Sequence, residues 1–397
     1  MKYVVVLGDG MSDRPVPALG GMTPLEAAVT PTLDALASAG ELGMVQNVPE
    51  GMVPGSDVAN LSVLGYGPHS CYTGRSSLEA LSLGVTMEPG DVAFRCNLVT
   101  LTEPEPYREK TILDHSAGEI SATDGAALME TVRQAFQNDT FRFYTGTGYR
   151  HILVWKGGRT ASLAPPHDHL GSVIGPWLPE EPVLRRFMEV SYDILSRHPL
   201  NQGRDRRKAN SIWFWGPGTQ PRLDSFQSRT GKRGAMISAV DLLKGIAKGA
   251  GMTVCQVPGA TGLLDTNYAG KAQAALDALL KDNCDLAFIH LEAPDEMGHQ
   301  GLAREKVQAI EHLDREIAAP VWEGLRQAGE DFRMLILPDH ATPVSLRTHT
   351  AEPVPYLLYD STRQLRKRSR YTEEEAKLSG SWEPEGHRLM QRFLQEG

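Results

Sequence analysis

Met334-Leu335-Ile336-Leu337-Pro338-Asp339-His340 runs from four apolar residues into a proline, an aspartate and a histidine. A short apolar run stopped by a turn residue reads as a buried strand, because a strand covered on both faces has no polar side to show. The same ending recurs twice. Tyr3-Val4-Val5-Val6-Leu7 leads into Gly8-Asp9-Gly10, and Leu286-Ala287-Phe288-Ile289-His290-Leu291 leads into Glu292-Ala293-Pro294-Asp295. Helical patterns lie between these runs. Thr30-Pro31 supplies a cap and a first-turn proline, and Gly40 supplies the stop. Val307, Ile310, Leu313 and Ile317 fall at helical spacing within 302–325, as do Ile237, Val240, Leu243 and Ile246 within 236–250. Strands alternating with helices predict an α/β fold, a parallel sheet with helices on both faces. Ligands of such sheets bind beyond the carboxyl ends of the strands. Each of these three strands delivers an aspartate there.

At 397 residues the chain has room for two domains of ~100–200 residues each. The segment 106–204 changes character. It carries short hydrophobic stretches, Phe141-Arg142-Phe143-Tyr144 and His151-Ile152-Leu153-Val154-Trp155, and the loop Ala164-Pro165-Pro166-His167-Asp168-His169. We read it as a smaller α+β domain inserted into an α/β domain made of 1–105 and 205–397. Hydrophobic residues make up 41% and charged residues 22%, as in a globular chain rather than a disordered one. No stretch approaches ~18 uninterrupted apolar residues, and the N-terminal apolar run is too short for a secretory signal, so neither membrane span nor export is expected. Cys71, Cys96, Cys255 and Cys284 form no CxxC pair and fit a reducing cytoplasm. A net charge of −9 argues against nucleic acid or an anionic membrane as partner. An anionic substrate therefore needs a local positive centre.

Chemistry concentrates in few places. Asp295-Glu296-Met297-Gly298-His299 sets a carboxylate and an imidazole four residues apart, on one face if the segment is helical, where both can grip one metal. Asp339-His340 ends a strand, where adjacent side chains diverge and can serve two metals. His349 follows in Arg347-Thr348-His349-Thr350, and Asp9 stands at an equivalent strand end. Oxygen and nitrogen donors without thiolates suit Mn²⁺, Mg²⁺, Zn²⁺ or Co²⁺. Two such ions about 3.5–4 Å apart would clamp a phosphoryl group. Ser56, in Pro54-Gly55-Ser56-Asp57-Val58-Ala59-Asn60, is the nucleophile candidate. A serine opening a helix meets exposed N–H groups suited to phosphate, although the same position is also an ordinary helix cap.

Several of these stretches together resemble a known family. Gly8-Asp9-Gly10-Met11, Pro54 to Asn60, Tyr72-Thr73-Gly74-Arg75, Ala209-Asn210-Ser211-Ile212-Trp213-Phe214-Trp215-Gly216, Pro258-Gly259-Ala260-Thr261-Gly262, His290 to His299, Leu337 to His340 and Arg347 to Thr350 are similar to the archaeal-type cofactor-independent phosphoglycerate mutases, of the alkaline phosphatase superfamily. The resemblance runs nearly end to end. It implies an alkaline-phosphatase-like core and two divalent ions, manganese first among them. One would be held by Asp295, His299 and His349, the other by Asp9, Ser56, Asp339 and His340. Ser56 would carry the phosphate, and the small phosphorylated substrate would be a phosphoglycerate. The inserted domain would hold the rest of that substrate, through Arg150, His151, Asp168, Lys208 and Asn210. His115, His151, His167 and Asp168 are candidates for the acid/base work on the glycerate hydroxyls.

The resemblance also covers a branch proposed to be homoserine kinases. No P-loop and no protein-kinase signature accompanies it. A metal-dependent phosphomonoesterase, with water taking the phosphate from Ser56, is a further reading. A vestigial binding scaffold is disfavoured, since all seven metal positions hold residues able to coordinate.

Overall fold

The computed structural model describes residues 1–103, 106–202, 208–363, 365 and 368–395. The chain divides into two compact units, Met1–Tyr72 with Leu223–Gly397, and Thr73–Arg222.

In the larger unit the three apolar runs are strands, Lys2–Gly8, Leu286–Leu291 and Phe332–Leu337, buried along almost their whole length. Lys2–Gly8 lies between the other two and parallel to both. The sheet has eight strands, in the order Trp382–Glu383, Glu41–Val45, Val354–Asp360, Phe332–Leu337, Lys2–Gly8, Leu286–Leu291, Gly234–Ile237, Thr253–Cys255. All neighbours are parallel except the two pairs made by Val354–Asp360. The parallel core therefore carries one reversed strand. Side chains alternate across the sheet. Val4, Val6, Ile289 and Ile336 pack with Ile310, Ile317 and Leu325 on one face. Tyr3 meets Phe393 of helix His387–Leu394 edge-on from the other. Register does the functional work. Leu7 pairs with both His290 and Leu337, so the residues that follow all three strands leave from one edge.

Local expectations hold with two shifts. Helix Pro31–Ala39 forms and stops at Gly40, but Thr30 makes no side-chain cap. The carboxylate of Asp314 accepts the N–H groups of Thr32 and Leu33 instead. Asp314 stands in a π-helical segment, Leu313–Ala318, set between helices Ala303–His312 and Ala319–Gln327. Met236 and Ile237, assigned to a helical pattern from spacing, belong to strand Gly234–Ile237, and the helix begins at Asp241.

The smaller unit is built on a five-stranded antiparallel sheet. Its centre is Val92–Leu101, which pairs with Ser211–Thr219, Arg150–Trp155 and Ile112–Asp114, while Phe141–Tyr144 lies outside Arg150–Trp155. Helices Ala122–Phe136 and Pro182–Leu195 pack Leu128 and Met188 against Phe94, Cys96 and Leu98. Helix Arg75–Ser82 covers Ala93, Ile152 and Val154 with Ala80. The unit is wider than the 106–204 read from composition because its two longest strands, Val92–Leu101 and Ser211–Thr219, flank that window in sequence. Among the described residues no helix is long and apolar enough to cross a membrane.

Candidate functional site

The seven metal and nucleophile candidates lie together in the larger unit. Helix Ser56–Val63 starts after Gly55, which makes no side-chain cap, so Ser56 is the first helical residue and not the cap. Its hydroxyl is free for other work. Ser56 Oγ lies 3.5 Å from Asp9 Oδ2 and 3.2 Å from His340 Nε2. One turn on, Asn60 Nδ2 donates to the Ser56 carbonyl at 2.9 Å and to Asp339 Oδ2 at 2.8 Å. The start of helix Ser56–Val63 and the strand end are thereby tied to one side chain.

Asp295 and His299 do share a helix, Ala293–Gln300. His299 Nε2 is 3.3 Å from Asp295 Oδ2, His349 Nε2 is 3.4 Å from Asp295 Oδ1, and the two Nε2 atoms are 2.9 Å apart. Asp9, Asp339 and His340 form a second group whose ligand atoms lie within 4.8 Å of one another, and His340 is also within that distance of Asp295 and His349. Gly10 sits between the two groups with φ +59, and a Cβ there would fall 2.5 Å from Asp295 Oδ1, so only glycine lets the strand end pass this close. Its N–H donates to Asp339 Oδ1 at 3.1 Å.

The electrostatics call for a cation. Asp9, Asp295 and Asp339 are all nine-tenths buried or more. Two unpaired carboxylates ~4 Å apart repel by about 4 kcal/mol at an effective dielectric of ~20. Burial, reinforced by the charges of Asp339, Asp295 and Glu292, pushes the Asp9 carboxyl well above its usual range. Asp295 goes the other way: burial alone would raise it, but hydrogen bonds from His299 and His349 hold it well below. The Asp295 partner lifts His299 to about 9. Asp9 Oδ1 is buried without a hydrogen-bond partner among the described residues. Converging acceptor atoms, one of them orphaned, fit divalent ions.

Further residues support the site that spacing did not single out. Thr342 donates through Oγ1 to Asp295 Oδ1. Asn47 Nδ2 donates to the carbonyls of Pro338 and Asp339 at 3.2 and 3.0 Å. Lys306, fully buried, binds Asp13 Oδ2 at 2.8 Å and the carbonyls of Ser12 and Thr342 at 3.2 and 2.9 Å. His290 Nε2 reaches Asp9 Oδ2 at 2.9 Å. Asn60 alone had a visible signal, four residues after Ser56 on the same helical face.

The substrate candidates of the smaller unit do not form one group. Asn210 spends both ends of its amide on the backbone of Leu101. Lys208 stands 3.6 Å from Glu103. His151 is buried, pairs across the sheet with Cys96, accepts the Gly146 N–H at Nδ1 and is pushed by burial down to about 3. It shares the apolar face with Cys96, whereas Arg95, Asn97 and Arg150 share the other. On that other face a cationic cluster appears. Arg95 is 6% exposed, donates to Glu79 Oε1 at 2.9 Å and lies 5.1 Å over the Trp215 ring. Arg75 also donates to Glu79 at 2.9 Å. The His167 ring is 5.1 Å from Trp215 and 5.9 Å from His115, and Asp168 Oδ1 is 3.7 Å from His167 Nε2. Arg95 Nε and His115 Nδ1 are buried without partners among the described residues.

Comparison with known proteins follows the same lines. Residues 37–201 match the family model of 2,3-bisphosphoglycerate-independent phosphoglycerate mutase. A probable 2,3-bisphosphoglycerate-independent phosphoglycerate mutase of Geobacter sulfurreducens is 47% identical over 99% of this chain and 100% of its own length. The mutase of that name from Methanosarcina acetivorans is 44% identical over 96% of each chain. Among solved structures, a protein from Pyrococcus horikoshii superposes with TM-score 0.82 at 27% identity, covering 100% of this chain and 98% of its own. The cofactor-independent phosphoglycerate mutase of Thermoplasma acidophilum gives 0.66 at 27%, covering 100% and 99%.

Proposed function

The chain belongs to the 2,3-bisphosphoglycerate-independent phosphoglycerate mutase family, and from that membership we propose that it interconverts 3-phosphoglycerate and 2-phosphoglycerate through a phosphoserine at Ser56. The supporting observation is the Ser56 hydroxyl, set at a helix start within 3.5 Å of Asp9 and 3.2 Å of His340. Helix N-termini hold phosphate well, because their N–H groups lack partners within the helix.

Asp295, His299 and His349 would hold one divalent ion, and Asp9, Ser56, Asp339 and His340 a second, with Mn²⁺ the ion we favour for this oxygen and nitrogen donor set. Such ions, when bound, neutralise charge on the transferring phosphoryl group and favour the ionised hydroxyl. The chain's own residues do the rest. Ser56 Oγ gives up its proton and bonds to phosphorus, while the bond from phosphorus to the 3-oxygen of glycerate breaks and that oxygen takes a proton. Glycerate turns, its 2-hydroxyl gives up its proton as the 2-oxygen bonds to phosphorus, and the bond from phosphorus to Ser56 breaks as Oγ takes a proton back. Asn60 holds Ser56 and Asp339 in register through both steps.

Glycerate must stay held between the steps, or water would take the phosphate. We assign its carboxylate to Arg95, Arg75 and Arg150, a cationic set gathered around Glu79. For the acid/base work we favour His115, His167 and Asp168 over His151, which is buried on the apolar face. Four free cysteines suit a reducing cytoplasm.

The test is a side-by-side assay of manganese-loaded protein on 3-phosphoglycerate and on homoserine with ATP. Formation of 2-phosphoglycerate without added 2,3-bisphosphoglycerate supports the reading. Phosphorylation of homoserine, or release of inorganic phosphate as the main product, overturns it.

A further inference from the structure

His290 interrupts an otherwise apolar strand, Leu286–Leu291, and is fully buried. Both ring nitrogens are engaged. Nε2 lies 2.9 Å from Asp9 Oδ2, and Nδ1 lies 3.2 Å from Ser238 Oγ. An ionised carboxylate, which a cation ligand must be, only accepts, so with Asp9 ionised the ring hydrogen sits on Nε2, and Nδ1 takes the Ser238 hydroxyl hydrogen. Ser238 Oγ in turn accepts the Val240 N–H at 3.0 Å. The direction of donation is therefore fixed from Val240 through Ser238 and His290 to Asp9. Lys271 Nζ holds the His290 carbonyl at 3.0 Å.

The consequence falls on the other oxygen of Asp9. With Oδ2 held by His290, Oδ1 is left buried without a hydrogen-bond partner among the described residues, 3.6 Å from His340 Nε2. Asp9, Asp339 and His340 offer ligand atoms within 4.8 Å of one another, and Oδ1 is the Asp9 oxygen that lies toward His340, while Ser56 Oγ lies 3.5 Å from Oδ2. We propose that His290 is a positioning residue, which locks the Asp9 carboxylate so that Oδ1 is presented to a cation shared with Asp339 and His340. This rests on the metal reading above and adds to it the device that aims one ligand. A neutral donor suits the task. An arginine or lysine in its place would neutralise the charge the cation needs, and an apolar residue would let the carboxylate turn.

The experiment is titration of metal-free protein with Mn²⁺, read by electron paramagnetic resonance and calorimetry, for wild type and for His290→Leu, His290→Gln and Ser238→Ala. Circular dichroism checks the fold of each. His290→Leu is expected to weaken one class of Mn²⁺ site by about 10- to 100-fold, leaving the site of Asp295, His299 and His349 unchanged. His290→Gln, whose amide N–H can reach the same carboxylate oxygen, restores most of the affinity. The KM for 3-phosphoglycerate at saturating Mn²⁺ stays near wild type. Wild-type affinity at both sites in His290→Leu overturns the inference, as does a Gln variant no better than the Leu variant. If His290→Leu does not fold, Ser238→Ala decides, since it keeps the ring and frees its tautomer; unchanged Mn²⁺ affinity there counts against the relay. Wild-type protein that takes up no Mn²⁺ would sink this inference together with the metal reading.

Discussion

His299 and His349 point their Nε2 atoms at each other across 2.9 Å, each also within 3.4 Å of an oxygen of Asp295. Two neutral rings in that pose need one of them to donate, and two protonated rings would repel. A cation among the three ligands would take the place of the proton that His299, raised to about 9 by Asp295, otherwise supplies. We expect exhaustive chelation to abolish mutase activity and Mn²⁺ to restore it. The melting temperature should fall on chelation, since a ligand at 100 times its Kd stabilises the folded state by about 2.7 kcal/mol. His349→Ala should reproduce the loss at ordinary Mn²⁺ concentration. Full activity after chelation would exclude any metal role for these histidines.

Ser56→Ala removes the group assigned to carry the phosphate. A drop in kcat on the order of 10⁴ or more is expected, by analogy with the loss of other enzymatic nucleophiles. Mn²⁺ content should remain, because Asp9, Asp339 and His340 still converge. Rapid quench with labelled 3-phosphoglycerate should trap phosphoprotein in wild type and none in the variant. A variant that turns over within tenfold of wild type would mean that phosphate passes by another route.

The strand ends were legible because a parallel sheet writes itself as apolar runs with turn residues at their carboxyl ends. Asp9, Asp295 and Asp339 follow such runs, and the register of Leu7 with His290 and Leu337 brings those ends together. What stayed hidden depended on tertiary partners. Thr30 has the composition of a cap, yet Asp314 from a π-helical segment takes that role, and no periodicity announces it. His290 looks like one polar residue in a core strand until Asp9 is seen beside it. Of the cationic cluster Arg150 was read from the sequence, and Arg95 and Arg75 were missed for a different reason. Arg95 lies in an apolar strand, outside the window read as the inserted domain, and its partner Glu79 comes from a helix packed on the same face. Lys208 and Asn210 were conspicuous in sequence and turn out to bind Glu103 and the Leu101 backbone.

Arg95 is therefore the substitution that separates the smaller unit's role from that of the metals. Hydrogen bonds to charged groups are worth about 1.5–3 kcal/mol. Arg95→Met should lower kcat/KM for 3-phosphoglycerate by about 10- to 100-fold, mostly through KM, with Mn²⁺ binding unchanged. Arg95→Lys should recover part of the loss, keeping the charge but not the fork. A variant with lower Mn²⁺ affinity and normal KM would move Arg95 out of the substrate set.

His151 gives a pH test, because burial pushes it from its ordinary 6.5 down to about 3 in the folded chain. The sign follows from proton counting. Below about pH 6.5 the unfolded chain binds a proton at this ring and the folded chain does not, so stability is complete above 6.5 and falls as pH drops toward 3. One such histidine contributes a slope of about 1.4 kcal/mol per pH unit in that window. Replacing the ring with Leu removes that contribution. Urea unfolding of wild type and His151→Leu, followed through a probe in the smaller unit such as Trp213 or Trp215 fluorescence, should show a shallower acid slope for the variant. kcat at neutral pH should stay within a few fold of wild type. An unchanged slope would show that the ring is protonated in the folded chain. Loss of kcat with unchanged stability would return His151 to the favoured acid/base candidates.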